Sequence, residues 1–338
     1  VNFVDSTGGG GQRNQADPDE SVAVHYSNVS GCDTYLPTCV TEAKYVINFA
    51  NLKKHSLAGI TVCGKNHFGS IYRTDTEEWK PNALHNYVDS SNDMGSYNAL
   101  VDLIGHEHVG GKTLLYLVDA LYPAMNQQSI EPDKWEMDPF GTDWMSSIFA
   151  SQDPVAIDSV CVDFLKAELV ERGQSLAANT DNYLHEAATA EQAKSWGSYD
   201  PEDDSTPLNS LGTHEHWNNA TDRQYTRNLG TGDGIELLPA AKPGDANRDG
   251  YVDDVDFGVV GSHWDPAGAN DNGWSDGDLD FDGAVGNTDY ALVLANWNES
   301  TGSSAEADAT AAALAEPAAT DVTVSAVNDP LGTAVGIH

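Results

Sequence analysis

The chain has 338 residues, 40% of them hydrophobic, with 16 Lys plus Arg against 53 Asp plus Glu and a formal net charge of −37. This length suggests about two domains, and the apolar fraction rules out a wholly disordered acidic chain. The charge excludes nucleic acid and anionic membrane surfaces as partners, because both are bound through clustered Lys and Arg, and it points to cations instead.

No apolar run reaches the ~18 residues of a membrane span, so no membrane insertion is expected. Val1 in place of an initiating Met reads as a processed chain or a fragment. The cysteines Cys32, Cys39, Cys63 and Cys161 form no CxxC pair of the kind that zinc ribbons use. Cys32 and Cys39 flank a short loop at a spacing that suits a disulfide in an exported protein. Cys63 and Cys161 sit in apolar surroundings and read as buried thiols.

Two apolar runs, Lys44 to Leu52 and Lys112 to Leu121, are nearly continuous, as expected of strands covered on both faces. Between them Tyr97, Leu100, Val101 and Ile104 recur at helical spacing. Asp153 followed by Pro154 is a helix start, a capping carboxylate before a residue whose φ suits the first turn. Ile157, Val160, Cys161, Phe164 and Leu165 supply the apolar face behind it, so the helix is expected to run to about Arg172. The alternation predicts an α/β fold with a mostly parallel sheet and helices over residues 1–240.

Lys53, His55, Lys65 and Asn66 cluster beside the first predicted strand end in a chain poor in cations. They read either as an anion site, with the lysines as charges and Asn66 as a donor, or as a structural cluster. Asp119 is expected at a strand end, where open α/β sheets place their ligands. Two His-Glu-His triplets, His106–His108 and His214–His216, present imidazoles to a metal if extended, since residues two apart then share a face. Sequons at Asn28, Asn219 and Asn298 permit glycosylation.

The stretch LKKHSLAGITVCGKNHFG, from Leu52 to Gly69, resembles the hallmark of the family known as domain of unknown function 362. The match is carried by Leu52, Lys53, His55, Gly59, Thr61, Lys65, Asn66, Phe68 and Gly69. DPVAID (Asp153 to Asp158) and LVDAL (Leu117 to Leu121) are similar to that family's later motifs, and the resemblance runs over about residues 20–235. It adds Asp158 to Lys53, His55, Lys65, Asn66 and Asp119 as a candidate catalytic residue. Some members carry ferredoxin-like cysteine motifs and are taken to be redox proteins; those cysteines are missing here.

Composition changes near Pro243, and from Asp249 to the end there is no Lys or Arg. GDANRDGYVDDVDF (Gly244 to Phe257) and GDLDFDGAVGNTDY (Gly277 to Tyr290) are two acidic loops in one register, with 277 − 244 = 33 residues between their starts. Calcium takes six to eight hard oxygens, and an EF-type loop supplies them from fixed positions around a Gly turn. Those positions hold Asp245, Asn247, Asp249, the Tyr251 carbonyl, Asp253 and Asp256 in the first loop, with Gly250 at the turn. The second loop has Asp278, Asp280, Asp282, the Ala284 carbonyl and Asp289, with Gly283 at the turn and Gly286, which has no side-chain ligand, opposite Asp253. Two calcium ions are the implied cofactors.

The duplicated loop, each followed by a short helix, resembles a type I dockerin, a calcium-loop module that docks onto cohesin domains. The resemblance implies a small all-α paired-loop domain over residues 244–298 in an exported protein. Residues 299–338 read as an Ala-rich linker ending in a strand, Asp321 to Val327, expected to add to a neighbouring subunit. The sequence therefore reads as an extracellular or cell-surface, calcium-stabilised structural or assembly protein. It would form homo-oligomers or filaments through its tail, or bind a cohesin-like surface protein. The competing reading is an extracellular enzyme with a metal or anion site, possibly of redox type, tethered by that module.

Overall fold

A computed structural model of the chain describes residues 3–5, 13–72, 79–127, 131–239, 243–247, 251–270, 272–280, 283–297 and 323–328. Two compact units divide between Leu237 and Leu238, and the terminal strand belongs with the first.

In the first unit, short strands β1 (Phe3–Asp5) and β2 (Arg13–Gln15) pair in parallel, and β3 (Pro18–Val24) pairs antiparallel with β4 (Thr34–Pro37) ahead of a single helical turn, α1 (Thr38–Thr41). The main sheet begins with β5 (Val46–His55) and β6 (Gly59–Thr61), joined by a three-residue turn. Helices α2 (Cys63–His67), α3 (Trp79–Leu84) and α4 (Ala99–Gly105) follow, then β7 (Thr113–Ala124), β8 (Ser147–Ser151), α5 (Pro154–Glu171), α6 (Asn182–Ala188) and β9 (Glu236–Pro239). The second unit carries α7 (Asp254–Ser262) and α8 (Asn287–Ala295), and the chain returns to the first in β10 (Thr323–Asn328).

The six-stranded sheet has the order β6-β5-β7-β8-β10-β9. It is mixed, not mostly parallel as the apolar runs suggest. Only β5 and β7 are shown running parallel, while β5 with β6, β7 with β8 and β8 with β10 are antiparallel. Connection chemistry is the reason. Parallel neighbours need a long crossover, which α2 to α4 provide between β5 and β7. A tight turn returns β6 beside β5, and no helix stands between β7 and β8 among the described residues. The terminal strand pairs with β8 of its own chain, Ser325 opposite Ala150 and Val327 opposite Ile148, an intrachain counterpart of the strand addition expected from the sequence.

One face of the sheet is buried. Ala50, Leu52, Tyr116, Val118 and Phe149 join residues of α4, α5 and α6 in a single core. Alternation along β5 sends Ile47 and Phe49 to the other side, where they remain 60% and 55% exposed. Leu115 and Leu117 stand opposite them on β7. The nearly continuous apolar runs therefore do not mark strands covered on both faces.

Helix α5 starts as its sequence predicts. Asp153 accepts the N–H groups of Val155 (2.7 Å) and Ala156 (2.8 Å), Pro154 occupies the first turn, and Arg172 closes the other end. Near that end, buried Glu168 accepts the N–H groups of Glu136 and Met137 and the Arg172 Nε–H at 2.5 Å, pinning the loop after β7 to the helix. No disulfide joins Cys32 to Cys39; all four cysteines are thiols, Cys39 being exposed and Cys32, Cys63 and Cys161 buried.

The second unit repeats itself. Helices α7 and α8 are displaced by 33 residues at both ends, 287 − 254 and 295 − 262. Gly244 and Gly277 take φ of +92° and +93°, open to Gly at little cost. A Cβ on Gly244 would meet the Leu292 carbonyl at 2.7 Å, and one on Gly277 would meet the Val260 Cα at 2.9 Å, so each loop packs against the other repeat's helix. Phe257 and Tyr290 meet at the centre with ring centroids 4.1 Å apart, flanked by the reciprocal pairs Phe257 with Trp297 and Trp264 with Tyr290. Ala246, Val252, Val260, Trp274, Leu279, Val285 and Val293 form its core.

The two sheet faces predict unequal mutational costs. Phe149→Ala is expected to destabilise by about 3–5 kcal/mol and Phe49→Ala by no more than about 0.5 kcal/mol, measured by urea denaturation. Equal losses would mean that the open face is covered in solution.

Candidate functional site

The candidate residues of the first unit do not form one constellation. Lys53, His55 and Lys65 share the corner where β5 turns into β6 and α2 begins, close enough for both lysines to act on the imidazole. There His55 closes the turn, its Nδ1 accepting the N–H groups of Leu57 and Ala58, both at 3.1 Å. Burial, reinforced by Lys65, His85 and Lys53, lowers its pKa to about 4, so the ring is neutral near neutral pH. The Lys65 ammonium lies over the Phe68 ring, 3.8 Å from its centroid. Asn66 donates to the Asn48 side-chain oxygen at 2.7 Å, and Asn48 in turn donates to the Cys63 carbonyl. His55 and Asn66 thus each hold local structure, through backbone N–H groups and Asn48 and not through carboxylates.

Asp119 is not at a strand end. Strand β7 continues to Ala124, leaving Asp119 midway along it, level with Asn51. Its carboxylate accepts the Leu121 N–H at 2.9 Å and the Asn51 amide at 3.4 Å.

Asp158 is fully buried on α5. Its two oxygens accept the N–H groups of Cys63 (2.9 Å) and Gly64 (2.7 Å) at the start of α2 and the Tyr183 hydroxyl (2.9 Å) from α6. Burial outweighs these bonds and raises its pKa to about 7. A Cβ at Gly64 would sit 2.8 Å from the Tyr183 ring and 3.1 Å from the carboxylate, so the close approach requires glycine. Burial pushes the Cys63 and Cys161 thiols well above their ordinary range, which disqualifies them as nucleophiles at neutral pH.

The histidine triplets have different fates. His106 spends both ring nitrogens, Nδ1 on the His108 N–H and Nε2 on the Ala23 carbonyl, and burial lowers its pKa to about 4. His214 and His216 meet Asp181, and one ligand atom from each of the three lies within 4.8 Å of the others. Burial, then His216, lowers the pKa of His214 to about 4, whereas hydrogen bonds to Asp163 and Asp181 raise that of His216 to about 9. The sequence reading missed Asp163 and Asp181. For Asp163 the available signal was its place, with Asp158 and Ser159, in the otherwise apolar first half of α5; Asp181 carried none.

In the second unit the acidic loops fold back on their last carboxylate. Asp256 accepts the N–H groups of Asn247 (3.1 Å) and Asp253 (2.9 Å), and Asp289 those of Leu279 and Gly286, both at 2.7 Å. Asp245, Asp256, Asp278 and Asp289 are all buried. Oxygens of Asp278, Asp280 and Asp289 come within 4.8 Å of one another. Carboxylates held this close repel unless a cation sits among them, and an all-oxygen donor set suits calcium. Asp253 uses one oxygen to cap α7 through the Val255 N–H. Asp249 and Asp282, expected ligands, and the Gly250 turn lie outside the described residues.

Residues 8–163 match the family described as Domain of unknown function (DUF362). The match covers the Leu52 to Gly69 stretch and ends on α5 just beyond Asp158, short of the 235 expected from the motifs; the acidic loops and His214–His216 lie outside it. No curated protein and no solved structure matches the chain.

Asp158→Asn replaces a two-oxygen acceptor by one oxygen and an amide facing a backbone N–H, and is expected to cost about 1–3 kcal/mol. Because the folded pKa lies above the unfolded value, the proton-linked contribution of Asp158 is full below pH ~4 and lost as pH rises through ~7. The advantage of the wild type over Asp158→Asn should therefore shrink across that window in denaturation curves. An advantage that grows with pH would show that the carboxylate is ionised throughout.

Proposed function

We propose that residues 244–298 are a dockerin-like calcium-binding module and that the chain is a calcium-stabilised structural or surface-assembly protein acting outside the cell. The observation that carries this reading is the convergence of Asp278, Asp280 and Asp289 in a loop whose register recurs around Asp245, Asn247 and Asp256. Asp278, Asp280 and Asp289 would hold one ion together with Asp282 and the Ala284 carbonyl. Asp245, Asn247, Asp249, Asp253, Asp256 and the Tyr251 carbonyl would hold the other. Calcium supplies the positive charge that lets these carboxylates share a small core, and binding energy becomes folding energy.

An extracellular setting agrees with this chemistry, since millimolar calcium there fills even a weak site. The seat of β10 on β8 favours the calcium module over the tail as the assembling element. The partner is a second copy of the chain or a cohesin-like surface protein. An enzymatic reading gains nothing from the corner at Lys53, where His55 and Asn66 are occupied in holding the turn and α2.

Removing calcium with a chelator should abolish hydrogen-exchange protection in residues 254–262 and 287–295 while leaving α5 and β7 protected. Calcium at a hundred times its dissociation constant should restore about 2.7 kcal/mol of stability to the module for each ion bound. Asp289→Ala should weaken binding at the second loop. Unchanged protection after chelation would overturn the proposal.

A further inference from the structure

The segment carrying His214 and His216 alternates its side chains. Glu215 turns away to accept the Thr226 N–H at 3.1 Å, the Ile235 N–H at 2.7 Å and the Thr226 hydroxyl. Its two histidines turn towards α5, where Ser159 and Asp163 stand one helical turn apart. The Ser159 hydroxyl lies 2.9 Å from Nδ1 of His214, and an Asp163 oxygen lies 2.7 Å from Nδ1 of His216. Asp163 is itself buried and fixed, its other oxygen accepting the Trp217 N–H and the Tyr225 hydroxyl, both at 3.0 Å. Each imidazole is thus gripped through Nδ1. Nε2 of His216 points to Asp181, 2.9 Å away at the start of α6.

We propose that Asp181, His214 and His216 form a binding site for a divalent transition-metal ion of the zinc type, with Asp163 and Ser159 as positioning residues. Two imidazoles and one carboxylate are a donor set for such ions, and three protein ligands leave a coordination position for water. Groups that hold the far nitrogen of a ligating histidine orient the ring and strengthen it as a donor. The site is chemically distinct from the acidic loops, whose oxygens suit calcium. His216 is partly exposed, which gives the ion a route in. The inference does not depend on the calcium reading.

The test is titration of the full chain, first saturated with calcium, with cobalt(II) followed by visible absorption and then displacement by zinc. One cobalt per chain, with the intense bands of a four- or five-coordinate nitrogen-containing site, is expected. His214→Ala and His216→Ala should each lower affinity at least about 100-fold, and Asp163→Asn about 10- to 100-fold, with circular dichroism confirming the fold. If His216→Ala does not fold, His214→Gln, which leaves the contacts of His216 with Asp163 and Asp181 in place, is read in its stead. Absence of the cobalt bands, or bands unchanged in the folded histidine variants, overturns the proposal and leaves His216 as an imidazolium bridging Asp163 and Asp181.

Discussion

The first unit depends on buried carboxylates that gather donors from separate segments. Asp158 reaches from α5 to the first two N–H groups of α2 and to the hydroxyl of Tyr183 on α6, so three helices take their positions from one side chain. An unsatisfied backbone N–H in that interior would cost about 1–3 kcal/mol, and Asp158 removes two such penalties at once. The arrangement leaves no room for a side chain at Gly64. The chain repeats the device: Asp102 receives Ser27 and Tyr97, Asp163 receives Trp217, Tyr225 and His216, and Glu168 receives Glu136, Met137 and Arg172. A strongly acidic protein here puts part of its negative charge to structural use, each carboxylate organising donors from separate segments.

In the most conspicuous motif of the first unit, residues of types that chemistry also uses hold local structure in place. The stretch from Leu52 to Gly69 is a hairpin turn followed by a helix start. Its polar residues close that turn through His55 and tie α2 to β5 through Asn66 and Asn48, while the backbone N–H groups of Cys63 and Gly64 dock on Asp158. The motif is rich in catalytic residue types because turns and helix starts need acceptors and donors just as chemistry does.

The second unit has a small core and buries five aspartates among its described residues. Domains this small seldom hold together on apolar burial alone and recruit metals or crosslinks. Its reciprocal packing, in which each loop glycine touches the opposite helix, makes the two proposed ion sites parts of one cooperative body. The proposed metal chemistries divide by donor type, with oxygen-only loops in the second unit and a nitrogen-rich cluster between α5 and α6 in the first.

Features set by neighbours along the chain were legible in the sequence. The Asp153 cap, the extent of α5, the buried thiols at Cys63 and Cys161, and the 33-residue repeat of the acidic loops depend on local geometry and periodicity, which spacing reports directly. The direction of β8 and the open sheet face at Ile47 and Phe49 were not legible, because an apolar run records hydrophobicity and not which strand lies beside it or what covers it. The corner at Lys53 and the anchor at Asp158 come from separate motifs, and that both meet the start of α2 was not legible, because it depends on how α5 packs against α2. The backbone partners of Asp158 lie 94 and 95 residues away, and His216 finds Asp163 and Asp181 across 53 and 35. The sequence determined which residues can donate, accept or ligate; only folding decided which of them meet, because that depends on distant segments converging around a shared core.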